Sequence, residues 1–305
     1  YDAALEVLER VAATWQDAGD LEALARVMVQ IGWAHALRGT AEEGIARLQP
    51  PLEILSQSGS SSRLSELYTV LSVLCWGVGR YSECLAWSEQ AADLARTIGD
   101  EALVASAASM IVTAHLMLGH LGEALQGAME VIPRLQDAGD LTHLLPALNC
   151  AGPVHGFRGE LDRSTAFSDR MYDAAERLGD PSWIAFALAC RAWVLFMRGE
   201  WSRVRADLDR AVALLRPMGA TLWTPYPQLE LGRLCLAEGA WDAAASYLHE
   251  AYAGAERHGD LQAQRGSAAR LAELDVLEGR PQAAIARLVP LLDRPKLEEL
   301  DVTLL

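Results

Sequence analysis

Residues 231–260 read LGRLCLAEGAWDAAASYLHEAYAGAERHGD, and this stretch contains two glycines twenty positions apart, Gly239 and Gly259. The same spacing holds along the chain, where glycine occupies every twentieth position from Gly19 to Gly279. Because glycine enters the left-handed conformation that ends a helix without steric cost, each of these positions predicts a helix end. Twenty residues leave about 16 or 17 helical residues and a tight turn. The chain is therefore predicted to be a regular series of helices.

The intervals alternate between two kinds, which gives a 40-residue repeat of two helices that we name A and B. Small residues at matched points, such as Gly32 and Gly44, let the two helices of a pair pack closely. We predict an all-α, right-handed superhelical solenoid of antiparallel two-helix repeats. An aspartate that can cap the helix N-terminus with its carboxylate precedes five A helices. These residues are Asp20, Asp100, Asp140, Asp180 and Asp260.

The predicted domain organisation is a single array over residues 1–305. A half repeat is followed by seven full repeats, and a further helix starts at Leu297–Leu305. The unpaired helices at the two ends indicate an array that was longer in a parent protein, and their uncovered apolar faces predict weak end-to-end association. The predicted boundaries are 1–19, 20–59, 60–99, 100–139, 140–179, 180–219, 220–259 and 260–299.

The composition excludes several kinds of partner. The net charge is −15, from 41 acidic and 26 basic residues, which would repel phosphate backbones and anionic lipids. We therefore expect no direct binding of nucleic acid or membrane by this segment. No stretch is apolar over the roughly 20 residues that cross a bilayer. Five cysteines without paired spacing are typical of reduced thiols in a cytoplasmic protein. They are Cys75, Cys84, Cys150, Cys190 and Cys235.

One set of residues resembles the tetratricopeptide-repeat (TPR) signature, stretched to 40 residues. These residues are Leu231, Gly232, Gly239, Trp241, Ala244, Leu248 and Ala251. The chain is rich in arginine, has Lys296 as its only lysine and carries Gly-Asp pairs between its helices. In these features it also resembles the sensor region of MalT-like, large LuxR-type ATPase regulators of bacterial transcription. The resemblance implies an effector-sensing and protein-interaction module whose neighbouring domains hydrolyse ATP and bind DNA. This segment contains no phosphate-binding loop, so those activities are not assigned to it.

The A helices of such an array line its concave wall. Positions spaced by three or four residues give an inward stripe that is aromatic and nearly uncharged. Flat aromatic faces with an amide and one arginine suit sugar rings, an apolar effector or a partner peptide. The alternative is that these aromatic residues form the core between repeats. The candidate residues are Trp33, Trp76, Asn149, Phe157, Phe186, Trp193, Phe196, Tyr226 and Arg233.

Two A helices carry prolines that interrupt the regular pattern. The fourth full repeat contains Pro146, Gly152, Pro153 and Gly156, which should kink or open its A helix. A second interruption, at Pro225 and Pro227, lies at the start of a later A helix beside Trp223 and Tyr226. Such irregularities either mark a binding site or set the curvature of the array.

No catalytic or metal-binding pattern is predicted. His35, His115 and His155 share one position of the repeat. Neighbouring A helices lie about 8–10 Å apart, whereas a zinc ion holds its ligands at about 2 Å, so packing is the favoured role of these histidines. We predict no cofactor and no enzyme, since a helical-toroid glycosidase needs long catalytic loops that the spacing excludes. A peptide-binding scaffold without a small-molecule ligand remains the second functional hypothesis.

Overall fold

A computed structural model describes residues 2–57, 61–219 and 221–292. Regular secondary structure in these ranges is entirely helical and consists of fifteen α-helices and one 3-10 turn, Arg216–Met218. Even numbers are A helices and odd numbers are B helices. The bounds are α1 Asp2–Ala18, α2 Leu21–Arg38, α3 Ala41–Gln57, α4 Ser62–Gly77, α5 Tyr81–Ile98, α6 Glu101–Met117, α7 Leu121–Ala138, α8 Leu141–Phe157, α9 Leu161–Leu178, α10 Pro181–Met197, α11 Trp201–Leu215, α12 Pro225–Ala237, α13 Trp241–His258, α14 Leu261–Leu277 and α15 Pro281–Leu292.

The periodic glycines end the helices as predicted. Every one that lies in the described ranges has a positive φ, between 66° and 79°. At Gly39 the N–H donates to the Ala36 carbonyl (3.3 Å), and the next N–H, of Thr40, donates to the His35 carbonyl (3.0 Å). Gly219 differs, because its ψ of −159° lies outside the left-handed helical region. Gly59 and the further helix predicted at Leu297–Leu305 lie outside the described residues.

Gly219 follows a chain segment that departs from the regular repeat. The α-helix α11 stops at Leu215, and the 3-10 turn Arg216–Met218 takes the place of its last turn. Pro217 lies in that turn and has no N–H with which to extend the α-helical hydrogen bonds. The chain therefore enters α12 by an irregular path.

All five predicted aspartate N-caps are present. Each carboxylate accepts a hydrogen bond from a backbone N–H in the first turn of its A helix, which satisfies one of the donors that a helix start leaves open. The pairs are Asp20 with Ala23 (3.0 Å), Asp100 with Leu103 (3.1 Å), Asp140 with His143 (3.1 Å), Asp180 with Ser182 (2.7 Å) and Asp260 with Ala263 (3.0 Å).

The described residues fall into two compact units. The first contains the residues up to 115 and residues 122–147, and the second contains residues 116–121 and the described residues from 148 onward. The small positions of the repeat work in the same way in both. A Cβ on Gly32 would lie 2.2 Å from Val70 Cγ1, and one on Gly232 would lie 2.5 Å from Leu248 Cδ2. Both glycines thus allow an aliphatic side chain to pack directly on a helix backbone.

Helix α8 is continuous despite its two prolines and two glycines. It extends from Leu141 to Phe157, so the expected opening of the helix is wrong, whereas a kink stays a prediction. A proline inside a helix removes one backbone hydrogen bond and crowds the carbonyl four residues before it. A side-chain contact with α9 supports this region. The Ser164 hydroxyl donates to the Gly152 carbonyl at 2.7 Å.

The cysteines are unpaired, as predicted, and four of the five are buried. None of the described helices has the length and apolarity that a membrane span requires.

Candidate ligand-binding face

The predicted residues of the second unit lie on the A helices α8, α10 and α12, and the surface continues onto α14. Helix α12 packs against both α10 and α14. Equivalent residues of these helices are 40 positions apart, so they form rows that cross the three helices. The middle rows are Cys190, Glu230 and Arg270, and Trp193, Arg233 and Glu273. We refer to this surface as the A-helix face.

An aromatic cluster lies at the N-terminal end of α10 and α12. It consists of Trp183, Phe186, Trp223 and Tyr226. The ring centroids of Phe186 and Trp223 are 4.4 Å apart, and those of Phe186 and Tyr226 are 5.0 Å apart. Phe186 and Trp223 are buried, whereas Trp183 and Tyr226 are half-buried. The cluster therefore fills the space between two repeats and presents two rings at its edge.

The prolines Pro225 and Pro227 lie in the first turn of α12, beside this cluster. Helix α12 starts at Pro225, and Trp223 belongs to the turn before it. The Thr224 hydroxyl accepts from the Thr221 N–H at 2.9 Å and closes this turn. The second predicted interruption thus contributes directly to the aromatic cluster.

Trp193 occupies a close-packed position between α8 and α10. Its ring meets Phe157 edge-on, with centroids 5.3 Å apart and planes at 72°. A Cβ on Gly156 would lie 2.6 Å from Trp193 Cζ3, so only glycine leaves room for this ring. Phe157 is 37% exposed and Met197 is 36% exposed. The structure therefore brings Phe157 and Trp193 together and leaves apolar surface beside them.

Asn149 is joined to the same face by a cysteine. The Cys190 thiol donates to Asn149 Oδ1 at 3.2 Å. Burial raises the pKa of Cys190, which keeps the thiol protonated and able to donate. The amide of Asn149 is thereby held in one orientation.

Four charged side chains form the centre of the face. Glu230 Oε2 lies 2.6 Å from Arg233 Nη2 on α12, and Arg270 Nη1 lies 2.7 Å from Glu273 Oε2 on α14. The side chains of Glu230 and Arg233 are only 14% and 11% exposed, whereas those of Arg270 and Glu273 are 40% and 46% exposed. We call these four residues the charge square. This part of the face is therefore more charged than the predicted stripe, in which Arg233 is the one charged residue.

The environment of Arg233 is unusual for an arginine. Its guanidinium lies over the Phe196 ring, 4.2 Å from the centroid, and donates to the Trp193 carbonyl at 3.3 Å. Its Nε is buried and donates to no group of the described chain. Burial lowers the pKa of Arg233, against the opposing effect of Glu230. Phe196 also stacks on Trp201, with ring centroids 5.8 Å apart.

Burial also acts on the acidic partner. It raises the pKa of Glu230, although Arg233 and Arg270 both act to lower it. Glu230, Arg270 and Glu273 were not among the predicted site residues. The 40-residue period applied to Arg233, together with i,i+3 pairing of opposite charges, is the sequence signal that finds them.

The two predicted residues of the first unit have different surroundings. Trp33 on α2 and Trp76 on α4 are half-buried and pack against that unit's aliphatic core. The core there includes Met28, Ile31 and Leu71. For these two tryptophans the interpretation as core residues fits the contacts.

His35 and His155, which share one position of the repeat, both have packing roles. His155 Nδ1 lies 2.8 Å from Glu160 Oε2, and its ring stacks on Phe167 at 5.4 Å. His35 Nδ1 lies 2.8 Å from the Thr40 hydroxyl. Among the described residues, no three His, Cys, Asp or Glu side chains are placed to hold one metal ion.

Comparison with known proteins identifies the fold through solved structures alone. No protein-family model matches the chain, and no curated protein matches it in sequence. The Rap conjugation gene regulator of plasmid pLS20, solved in complex with the Phr peptide, is similar with a TM-score of 0.72 and 13% identity over 90% of this chain and 74% of that one. NprR in complex with its cognate peptide NprX has a TM-score of 0.68 and 13% identity, over 96% and 88% of the two chains.

A third similar structure is a Signal Transduction ATPase with Numerous Domains (STAND) that has a TPR sensor, from Pyrococcus horikoshii. Its TM-score is 0.57 at 10% identity, and the match covers 95% of this chain and 46% of that one. Identities this low establish the fold and nothing finer. The chain has the fold of TPR-like helical-repeat proteins.

Proposed function

We propose that this chain is the effector-sensing and protein-interaction module of a bacterial signal-responsive transcriptional regulator, and that the A-helix face of its second unit binds a short peptide. The Glu230–Arg233 pair is the observation that carries the proposal. A buried ion pair is weak support for stability, because desolvation of the two charges offsets their attraction. Apolar residues of similar size would hold α10 and α12 together at least as well. The pair therefore has a role other than packing.

The composition and extent of the face favour a peptide over a sugar. Tryptophan, tyrosine and arginine dominate the residues that contribute most to protein–peptide binding. Two helix-to-helix spacings of about 10 Å span roughly 20 Å from α10 to α14. About six residues of extended chain cover that distance. Both the Rap regulator and NprR were solved in complex with peptides, which supports a peptide as the ligand of this chain.

The A-helix face differs in its chemistry from scaffolds that bind acidic peptide tails. Such a clamp needs cationic side chains that are free to meet a carboxylate, whereas Arg233 and Arg270 each have an acidic partner. The peptide can also be an exposed segment of a neighbouring domain in the same protein, in which case the binding is intramolecular. The similar STAND protein, which is longer and has a TPR sensor, supports a place for this chain within a multidomain regulator.

Binding of fluorescently labelled synthetic hexapeptide pools to the whole chain, followed by polarisation, tests the proposal. We expect saturable binding that Trp193→Ala weakens at least tenfold, as for truncation of a central aromatic contact. Trp33→Ala is the matched control, because Trp33 occupies the same position of its repeat in the first unit. Thermal unfolding of both variants shows whether they fold. Absence of binding by every pool, or equal loss in the two variants, contradicts the proposal.

A further inference from the structure

We infer that the charge square selects the chemistry of the ligand, and that it favours a peptide segment without charged side chains whose amide groups bond to Arg270 and Glu273. The inference rests on the proposed function and specifies its ligand class.

The four charges of the square alternate in sign. Within α12, Glu230 lies beside Arg233, and within α14, Arg270 lies beside Glu273. The rows place Glu230 opposite Arg270 and Arg233 opposite Glu273. Electrostatic interaction also connects the two helices, since Arg270 acts on both Glu230 and Arg233, and Glu273 acts on Arg233. Opposite charges are therefore adjacent within each helix and across the two helices, and the square contains two acidic and two basic residues.

This alternation disfavours a charged ligand group. A carboxylate that approaches Arg270 is attracted by the guanidinium and repelled at similar distance by Glu273. The two Coulomb contributions largely cancel, while the carboxylate still loses its hydration. The same reasoning, with signs exchanged, applies to an ammonium group that approaches Glu273.

An amide is the group that matches the square. Its oxygen accepts from a guanidinium and its N–H donates to a carboxylate, so one group satisfies both neighbours. Arg270 and Glu273 are the two half-exposed members, with 40% and 46% of their side-chain surface accessible to a ligand. The peptide main chain, asparagine and glutamine all supply such amides.

The opposite end of the same row has apolar chemistry. Trp193 shares the row with Arg233 and Glu273, and the exposed surface of Phe157 and Met197 lies beside it. An apolar or aromatic side chain can bury surface there. The ligand is therefore an uncharged peptide of about six residues, apolar at the end near α10 and rich in amides at the end near α14.

Three hexapeptide pools test this inference on the whole chain. All peptides carry an aromatic residue at one end. At the other end the first pool carries glutamine, the second glutamate and the third lysine. We expect the glutamine pool to bind at least tenfold more tightly than either charged pool. Glu273→Gln gives the square a net positive charge and should improve the glutamate pool about tenfold, whereas Arg270→Gln gives it a net negative charge and should improve the lysine pool by a similar factor.

Arg96→Gln is the matched control, since Arg96 forms an i,i+3 ion pair with Asp93 on α5 of the first unit. This variant should leave the order of the pools unchanged. If no pool binds the unmodified chain, the proposed function fails. If pools bind but the preference is absent, or is not shifted in opposite directions by the two variants, the charge-square inference alone is overturned.

Discussion

The two units of this protein use the same repeat but place different chemistry at equivalent positions. Where α12 carries Glu230 and Arg233, α4 of the first unit carries Val70 and Val73. Val70 is 1% exposed and lies directly on the backbone at Gly32. Aliphatic residues therefore suffice to join the repeats at these positions. The comparison indicates that the second unit departs from the simplest packing solution, and that the departure is concentrated on one face.

The largest expected effect comes from breaking the buried pair on one side. Arg233→Met leaves the Glu230 carboxylate without its partner and should lower the free energy of unfolding by about 3–5 kcal/mol at pH 7. The deficit should shrink towards pH 4. Burial raises the pKa of Glu230 in the folded state, so the stability linked to its protonation is present at low pH and is lost as pH rises through that pKa. Urea unfolding across this range is the measurement, and a deficit independent of pH contradicts the assignment.

Converting the second unit to the chemistry of the first sharpens the comparison. The double variant Glu230→Leu with Arg233→Met removes both charges and should raise the free energy of unfolding by about 1–4 kcal/mol. Peptide binding should be lost in the same variant. Urea unfolding and the polarisation assay together check this outcome. A double variant that is less stable than the unmodified chain would show that the pair exists for stability.

The contact between Gly156 and Trp193 is the next test. Gly156→Val places a side chain into the Trp193 ring and should cost about 1–3 kcal/mol of stability through overpacking. Gly122→Val is the control, because a Cβ at Gly122 of α7 meets nothing within 4 Å. Thermal unfolding of the two variants measures the difference. Equal stability would mean that Trp193 does not lie against α8.

The glycines that end the helices should behave alike in both units. Gly99 and Gly199 have φ of 75° and 74°, and a Cβ on either meets no neighbouring atom. A valine at either position should therefore cost about 1–2 kcal/mol from backbone strain alone. Thermal unfolding should give similar losses for Gly99→Val and Gly199→Val. An unchanged unfolding temperature in either variant would contradict the assignment of these glycines as helix ends.

Removal of an aspartate cap should have the smallest effect on stability. Asp20→Ala and Asp260→Ala each remove one carboxylate that accepts from the first turn of an A helix, and each should cost about 1 kcal/mol. Urea unfolding is sufficient to resolve this difference. A loss confined to one unit would show that the caps differ in importance between the units.

The fold could be predicted from the sequence because its signals are local. A glycine such as Gly239 and an aspartate such as Asp140 act on the helix that they end or begin, whatever lies around them. The face depends instead on which side chains meet across repeats. Glutamate is usually exposed, so the residue type alone predicts Glu230 at the surface. Only the structure shows that it is buried beside Arg233 and Arg270. Trp223 lies in a turn, so helical periodicity does not place it against Phe186.

Peptide binding by the A-helix face of the second unit should slow the exchange of amide hydrogens in its helices. Amide hydrogen exchange of the whole chain, with and without the glutamine hexapeptide pool at saturating concentration, tests it most directly. We expect slower exchange in α10, α12 and α14, with α2 and α4 unchanged. Protection confined to α2 and α4, or no protection in either unit, would contradict it.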